Sequence, residues 1–315
     1  MTVLQAIILG IVQGLTEFIP VSSTAHLVLA SRLAGLYAGV DPTLRAQQTT
    51  ATIAVVQLGT LLAVLIYFAR DIVNITRAFV GDHVALLTGS RVLPGGQATA
   101  TEQPRGNGGQ RLPLNARLRL SQDAWLGWLV IIGSIPVAIV GLLFKHQIEG
   151  TLTKNLWIIA TMMVVVAVLL ALAEVVSKRN RGLADLGVGD ALAVGFAQVL
   201  ALIPGSSRSG STIMAGLFAG ETRETAARFS FLLSMPAIAA SGILELQEAI
   251  HKLPNASFLP LLIATVISGI VGYASIWFLL RFLRTHSTAV FIVYRFIVGG
   301  LILGALLAGY ISAAA

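Results

Sequence analysis

A chain of 315 residues that is 56% hydrophobic and 11% charged, with a mean hydropathy of +0.85, excludes an ordinary soluble core. Apolar runs about 20 residues long recur along it, and it reads as a polytopic membrane protein. The absence of cysteine excludes disulfides and thiolate metal sites, and the net charge of +7 contains no basic run interleaved with aromatics, which sets a nucleic-acid partner aside.

The first segment, 3–37, is apolar but interrupted at Gln13, at Thr16-Glu17 and from Pro20 to His26. Proline lacks the N–H a helix needs and clashes with the preceding turn. Two short helices, about 3–18 and 23–37, meeting at a polar break therefore fit better than one long span, with Ser22 or Ser23 as the cap of the second. No Lys or Arg precedes Arg32, so a cleaved signal peptide is not expected. Spans are expected at about 51–70, 125–144, 156–174, 223–249, 258–281 and 289–311. Between 71 and 124 the composition turns to Gly, Pro, Gln and Arg. A polar cytoplasmic loop is expected there, disordered across 81–123 and without chemistry.

The second interruption is Pro204-Gly205-Ser206-Ser207-Arg208-Ser209-Gly210-Ser211-Thr212, set between apolar runs in segment 188–220. Such a stretch at membrane depth is costly unless it lines a polar cavity. Arg208 offers phosphate a planar fork of donors. The Gly205-Ser206-Ser207 turn frees backbone N–H groups, and a helix starting near Arg208 points its positive end at the same place. The stretch reads as a phosphate cradle; the plainer alternative is a polar hinge capped by Ser206 or Ser207.

Segment 188–220 repeats the design of 3–37. Gly10, Gln13 and Leu15 match Gly195, Gln198 and Leu200 at an offset of 185; after a one-residue slip, Pro20, Ser22 and Ser23 match Pro204, Ser206 and Ser207. The expected fold is thus a single all-α integral membrane domain of six transmembrane helices plus two broken re-entrant helical hairpins, in an inverted-topology repeat. Repeat 1 covers about 1–175 and repeat 2 about 188–315. The loops 71–124, 175–187 and 281–288 then share one side and hold most of the loop Lys and Arg. The opposite loops hold Arg45, Lys145, Lys154 and Lys252, so the first set is cytoplasmic and both termini are outside.

Gln13 and Glu17, four apart, share one helix face. A carboxylate and an amide oxygen, with substrate phosphates and water, suffice for Mg²⁺; the alternative is a Glu17–Arg ion pair holding the hairpins together. His26 lies just past Pro20 beside Ser22 and Ser23. It could be a general base for Ser23 or water, the nucleophile toward phosphorus, or a structural residue. Arg295 is read as structural pairing or a second phosphate contact. Glu174, Glu245 and Glu248 are read as surface or loop-facing, and His83, His146, His251 and His286 as loop residues without metal-ligand spacing.

Gly14-Leu15-Thr16-Glu17-Phe18-Ile19-Pro20-Val21-Ser22-Ser23-Thr24-Ala25-His26 and the Pro204–Thr212 stretch resemble the two signature motifs of the bacterial undecaprenyl-diphosphate phosphatases of the bacitracin-resistance type. Gln57-Leu58-Gly59-Thr60, Phe229-Ser230-Phe231-Leu232-Leu233-Ser234 and Tyr294-Arg295-Phe296 resemble that family too, so the likeness spans the chain except the 71–124 loop. The resemblance implies hydrolysis of undecaprenyl diphosphate to the monophosphate carrier of cell-wall synthesis, bacitracin resistance, and a divalent metal, Mg²⁺ or Ca²⁺. It also implies a multi-pass enzyme of the bacterial inner membrane whose site opens to the outer face. Gln13 and Glu17 fall on its metal positions and His26 and Ser23 on its catalytic positions, with Glu17 counted among the catalytic groups. Arg208, Ser207, Ser209, Thr212 and Gly205, with Ser22, fall on its phosphate-binding positions. There are departures: Ala25 stands where glycine is expected, Gln13 where the family also has Glu, and the 81–123 loop is long. The expected partners are a polyprenyl diphosphate lipid and the bilayer; the oligomeric state is open, a homodimer included. The competing function is a secondary transporter or flippase of a prenyl phosphate or other anion, since inverted repeats with broken helices are a transporter design. A non-catalytic membrane scaffold is a third reading, and it leaves the intramembrane polar groups unexplained.

Overall fold

The computed structural model describes residues 1–88, 120–144, 155–252 and 258–313. Within them the chain forms α-helices and no strand. The helices are α1 (Val3–Phe18), α2 (Ser23–Leu33), α3 (Pro42–Tyr67), α4 (Ala69–Leu87), α5 (Gln122–Leu143), α6 (Leu156–Val176), α7 (Val188–Leu200), α8 (Arg208–Phe218), α9 (Arg223–Lys252), α10 (Phe258–Leu283) and α11 (Ala289–Leu307). Five of these, α3, α5, α6, α10 and α11, are long and apolar enough to cross a membrane. The remaining expected span lies on α9, a longer helix with Pro236 inside it and the charged Arg223, Glu224 and Arg228 at its start.

Local chemistry explains where the short helices begin and end. Thr2 and Gln5 form a capping box at the start of α1, and Ile19 ends it in extended backbone, the conformation that Pro20 imposes on its predecessor. Ser22 caps α2 and Ser207 caps α8, each accepting the N–H three residues on. Both serines hold positive φ, 78° and 68°. The far ends match as well. Gly35 and Gly220 sit at positive φ, Leu36 N–H donates to Ser31 O at 2.9 Å and Glu221 N–H donates to Gly216 O at 3.0 Å. Each is the αL-glycine ending in which the residue after the glycine bonds back into the last turn. The pairs Val3 and Val188, Ser22 and Ser207, Ser23 and Arg208, Leu33 and Phe218, and Gly35 and Gly220 are all 185 apart. The one-residue slip is therefore corrected: Ser22, not Ser23, corresponds to Ser207, and Ser23 corresponds to Arg208. α7 ends sooner than α1, and the turns after it place Pro204 one position early.

The two helix pairs are packed reciprocally. α1 lies mainly on α10, and α7 mainly on α5. Small residues permit this approach: a Cβ on Gly10 would stand 2.6 Å from Ala264 O, and one on Gly195 would stand 2.3 Å from Gly133 O. An aromatic cluster joins α1 to α9 and to the junction between α3 and α4, with Phe18 edge-on to Phe231 at 5.4 Å and Phe68 edge-on to Phe231 at 6.2 Å.

Two expectations are corrected here. The stretch after 71 does not start as a loop, because α4 runs to Leu87 and packs on α5. Its apolar residues Ile72, Ile75, Phe79 and its polar residues alternate at helical spacing, which lowers hydropathy without breaking the helix. Buried Asp82 on α4 accepts Ser121 N–H at 2.7 Å, and His83, placed in a loop by sequence, accepts the Trp128 indole N–H at 3.1 Å. Glu174 is not at the surface either. It is half-buried at the end of α6, accepting from Arg179, Arg223 and the Thr288 hydroxyl, and so ties α6 to α9 and α11. The side chains of Glu245, Glu248 and His251, with His146 and the 89–119 stretch, lie outside the described residues.

The base of the second pair is closed by Arg181. Its guanidinium donates to both oxygens of Asp190 at 2.6 and 2.7 Å and to the Ala219 carbonyl at 2.9 Å. Beside it, in the turn between α8 and α9, Glu221 is fully buried with neither carboxylate oxygen hydrogen-bonded among the described residues. Burial and the Asp190 charge push its carboxyl up to about 7, against an opposing effect of Arg181.

Candidate active site

The last two turns of α1 carry Gln13 and Glu17 inward, both buried. The Gln13 amide donates to Glu17 Oε2 at 3.2 Å and to the Thr60 hydroxyl at 3.3 Å, so the helix-face pairing is formed and braced from α3. The other Glu17 oxygen accepts Arg208 Nη2 at 2.8 Å. That ion pair joins residues 191 apart, one from each break. Glu17 and Arg208 both keep little exposure, with side chains 7% and 13% accessible, so the pair lies in a region of weak screening. Arg208 Nη1 is buried and has no hydrogen-bond partner among the described residues, and neither does Gln13 Oε1.

The second break places its hydroxyls unequally. Ser207 and Ser209 share a hydrogen bond at 3.2 Å, and Ser209 donates to Ile19 O in the first break at 3.3 Å. Thr212 is fully buried. Its hydroxyl donates to Arg208 O at 2.7 Å and meets Ser230 Oγ at 2.5 Å, which puts it under the turn against α9. Gly205 holds φ +93°, and a Cβ there would come within 2.1 Å of Ile159 O, so the turn presses on α6 as only glycine can.

Arg295 on α11 proves to be the centre of the assembly. It is fully buried and donates to five backbone carbonyls: Pro20, Gly205, Ser206, Met162 and Met163, at 3.1 to 3.3 Å. The breaks leave carbonyls that no helix can pair, and one guanidinium serves those of both. Among the described residues its partners include no carboxylate, so of the roles open to it the structure favours the structural one, with carbonyls instead of an acid.

His26 lies one turn into α2. Its Nδ1 is 2.7 Å from Ser22 O and its Nε2 2.7 Å from the Tyr294 hydroxyl, with the two rings stacked at 5.5 Å. Both nitrogens are thus engaged, and no hydrogen bond links His26 to Ser23. In the sequence Tyr294 shows only as the neighbour of Arg295 in Tyr294-Arg295-Phe296, and nothing there assigns it a role. Gln198, the match of Gln13, is buried with its amide unpartnered among the described residues, and its half lacks a counterpart of Glu17: Leu202 stands at that offset.

Among the described residues no group of three or more His, Asp or Glu is placed to hold a metal. Glu17 and the unpartnered Gln13 Oε1 provide a two-residue oxygen set, which fits a hard cation that draws its other ligands from phosphate and water.

A buried guanidinium paired with a carboxylate thus joins the two breaks, and an imidazole lies one turn into the helix that follows the first. The family model described as bacitracin resistance protein BacA matches residues 6–301. The chain belongs to this family. Among curated proteins, relatives match it over nearly its whole length. An undecaprenyl-diphosphatase of Syntrophobacter fumaroxidans is 48% identical over 303 residues, covering 96% of this chain and 97% of the relative. One of Chlorobium phaeobacteroides is 46% identical, covering 99% of this chain and all of the relative. One of Nocardia farcinica is 44% identical, covering 99% and 98%.

Proposed function

We infer that this protein is a membrane phosphatase that hydrolyses undecaprenyl diphosphate to undecaprenyl phosphate and inorganic phosphate, recycling the lipid carrier of cell-wall synthesis and so conferring bacitracin resistance. Its BacA membership and its full-length relatives carry the activity. The observation that supports placing it at the two breaks is the buried Glu17–Arg208 pair, which joins them.

In this reading 1–175 and 188–315 form an inverted-topology repeat in which the two broken helix pairs enter from opposite sides and meet in the membrane. The matched caps and reciprocal packing support it. The protein sits in the bacterial inner membrane, and its site opens to the outer face while the prenyl chain stays in the bilayer. Arg208 turns its unpartnered Nη1 to the terminal phosphate, and the starts of α2 and α8 present their positive ends to the same oxygens. Ser207, Ser209, Ser22 and Gly205 shape the turns that hold these donors; Thr212 braces Arg208 from below. Glu17 and Gln13 would hold Mg²⁺ or Ca²⁺, which when bound would neutralise charge on the diphosphate. His26 or Ser23 supplies or activates the nucleophile as the anhydride P–O bond breaks and the monophosphate lipid leaves.

The test is phosphate release from a long-chain prenyl diphosphate by purified protein in detergent, with and without EDTA. Arg208→Ala and Glu17→Ala should each lower release about 10²- to 10³-fold, the range for removing one donor at a developing anion. Wild-type protein that binds the lipid through Arg208 and releases nothing would overturn the reading in favour of transport.

A further inference from the structure

His26 has one lone pair to offer. The Ser22 carbonyl can only accept, so Nδ1 carries the ring proton of the neutral imidazole and Nε2 is the basic nitrogen. That nitrogen receives the Tyr294 hydroxyl at 2.7 Å, with the rings 14° from parallel. The contact joins residues 268 apart, and Tyr294 is not held by burial of its own, being 41% exposed. Its placement comes from the next residue: Arg295, fully buried and bonded to carbonyls of both breaks, fixes the register of α11 against α2. Any role for His26 as base or nucleophile runs through Nε2, the atom that the phenol occupies.

We propose that Tyr294 is a positioning residue for the phosphatase reaction: with the tautomer of His26 set by the Ser22 carbonyl, it aims Nε2 and covers that nitrogen until substrate enters. An anionic phosphate oxygen accepts an O–H more strongly than a neutral imidazole does, so the arriving diphosphate draws the phenol proton donor away and uncovers Nε2. The device works whichever of the two roles His26 takes. It rests on the phosphatase reading.

Tyr294→Phe keeps the ring stack and removes only the hydroxyl. Its kcat should fall about ten- to a hundred-fold, less than the 10²–10⁴ of losing a general base outright, with KM within about three-fold of wild type. In substrate-free protein labelled with ¹⁵N-histidine, the Nε2 resonance assigned with His26→Gln should move in Tyr294→Phe. The double variant should be no slower than His26→Gln alone, because the hydroxyl acts through that imidazole. An unmoved resonance overturns the proposal. So does an unchanged kcat, a KM that rises in proportion to the loss of kcat/KM, or a double variant in which the two losses multiply. If wild-type protein releases no phosphate, the activity reading has failed, while the spectrum still decides the contact.

Discussion

In the first break the chain leaves α1 at Pro20, turns through Ser22 at φ 78° and starts α2 with Ser23. In the second it leaves α7 through Gly205, turns through Ser207 at φ 68° and starts α8 with Arg208. The backbones correspond residue for residue from cap to terminal glycine, yet the side chains differ. The first start carries a hydroxyl and, three residues on, an imidazole; the second carries a guanidinium and, at the matching place, Ser211. The ends differ too, with buried Leu36 in one and buried Glu221 in the other. Cap geometry is therefore a frame set by a serine and a glycine, and the positions it presents are free to carry different chemistry.

Arg295 serves both breaks, so its loss should have the largest effect and should fall on both alike. Arg295→Leu leaves the buried Pro20, Gly205 and Ser206 carbonyls of the two breaks without their donor and should cost about 3–5 kcal/mol or prevent folding, read as thermal unfolding and monodispersity in detergent. Wild-type melting in that variant would show that the breaks hold themselves.

Glu221 breaks the likeness at one end only. Its carboxyl is raised from the ordinary 4.5 to about 7, so the folded protein binds a proton that the unfolded chain has released between those values. That contribution to stability is full below about 4.5 and is lost as pH rises through 7, about 3 kcal/mol in all. Wild type should melt lower at pH 8.5 than at pH 5.5. Glu221→Gln and Glu221→Leu should flatten the slope, the latter copying Leu36; an unchanged slope would place its cause elsewhere.

The smallest effect sharpens the comparison. Ser22→Ala and Ser207→Ala should each cost about 1 kcal/mol, and the glycine variants only a few tenths, since glycine tolerates the positive φ. Thermal unfolding that responded at one cap and not the other would show that the two starts are not equivalent.

Much of this frame is legible in the sequence. Pro20 and the Pro204-Gly205 pair announced the breaks, serines the caps, and the spacing of Gln13 and Glu17 their common face. Helix α4 was missed because its apolar residues face one side only, so a search for continuous hydropathy passes over it. The slip in the match arose because proline marks where a helix stops, while the corresponding geometry is set by the cap that follows. Periodicity and local chemistry thus determined the helices, their interruptions and the faces they present, since these depend on neighbours within a turn or two. Only the tertiary structure decided that Glu17 meets Arg208, that Arg295 takes carbonyls from both breaks, and that Tyr294 covers His26. Those choices pair groups 89 to 275 residues apart, and each is made by which helices pack together, a property that no local pattern encodes.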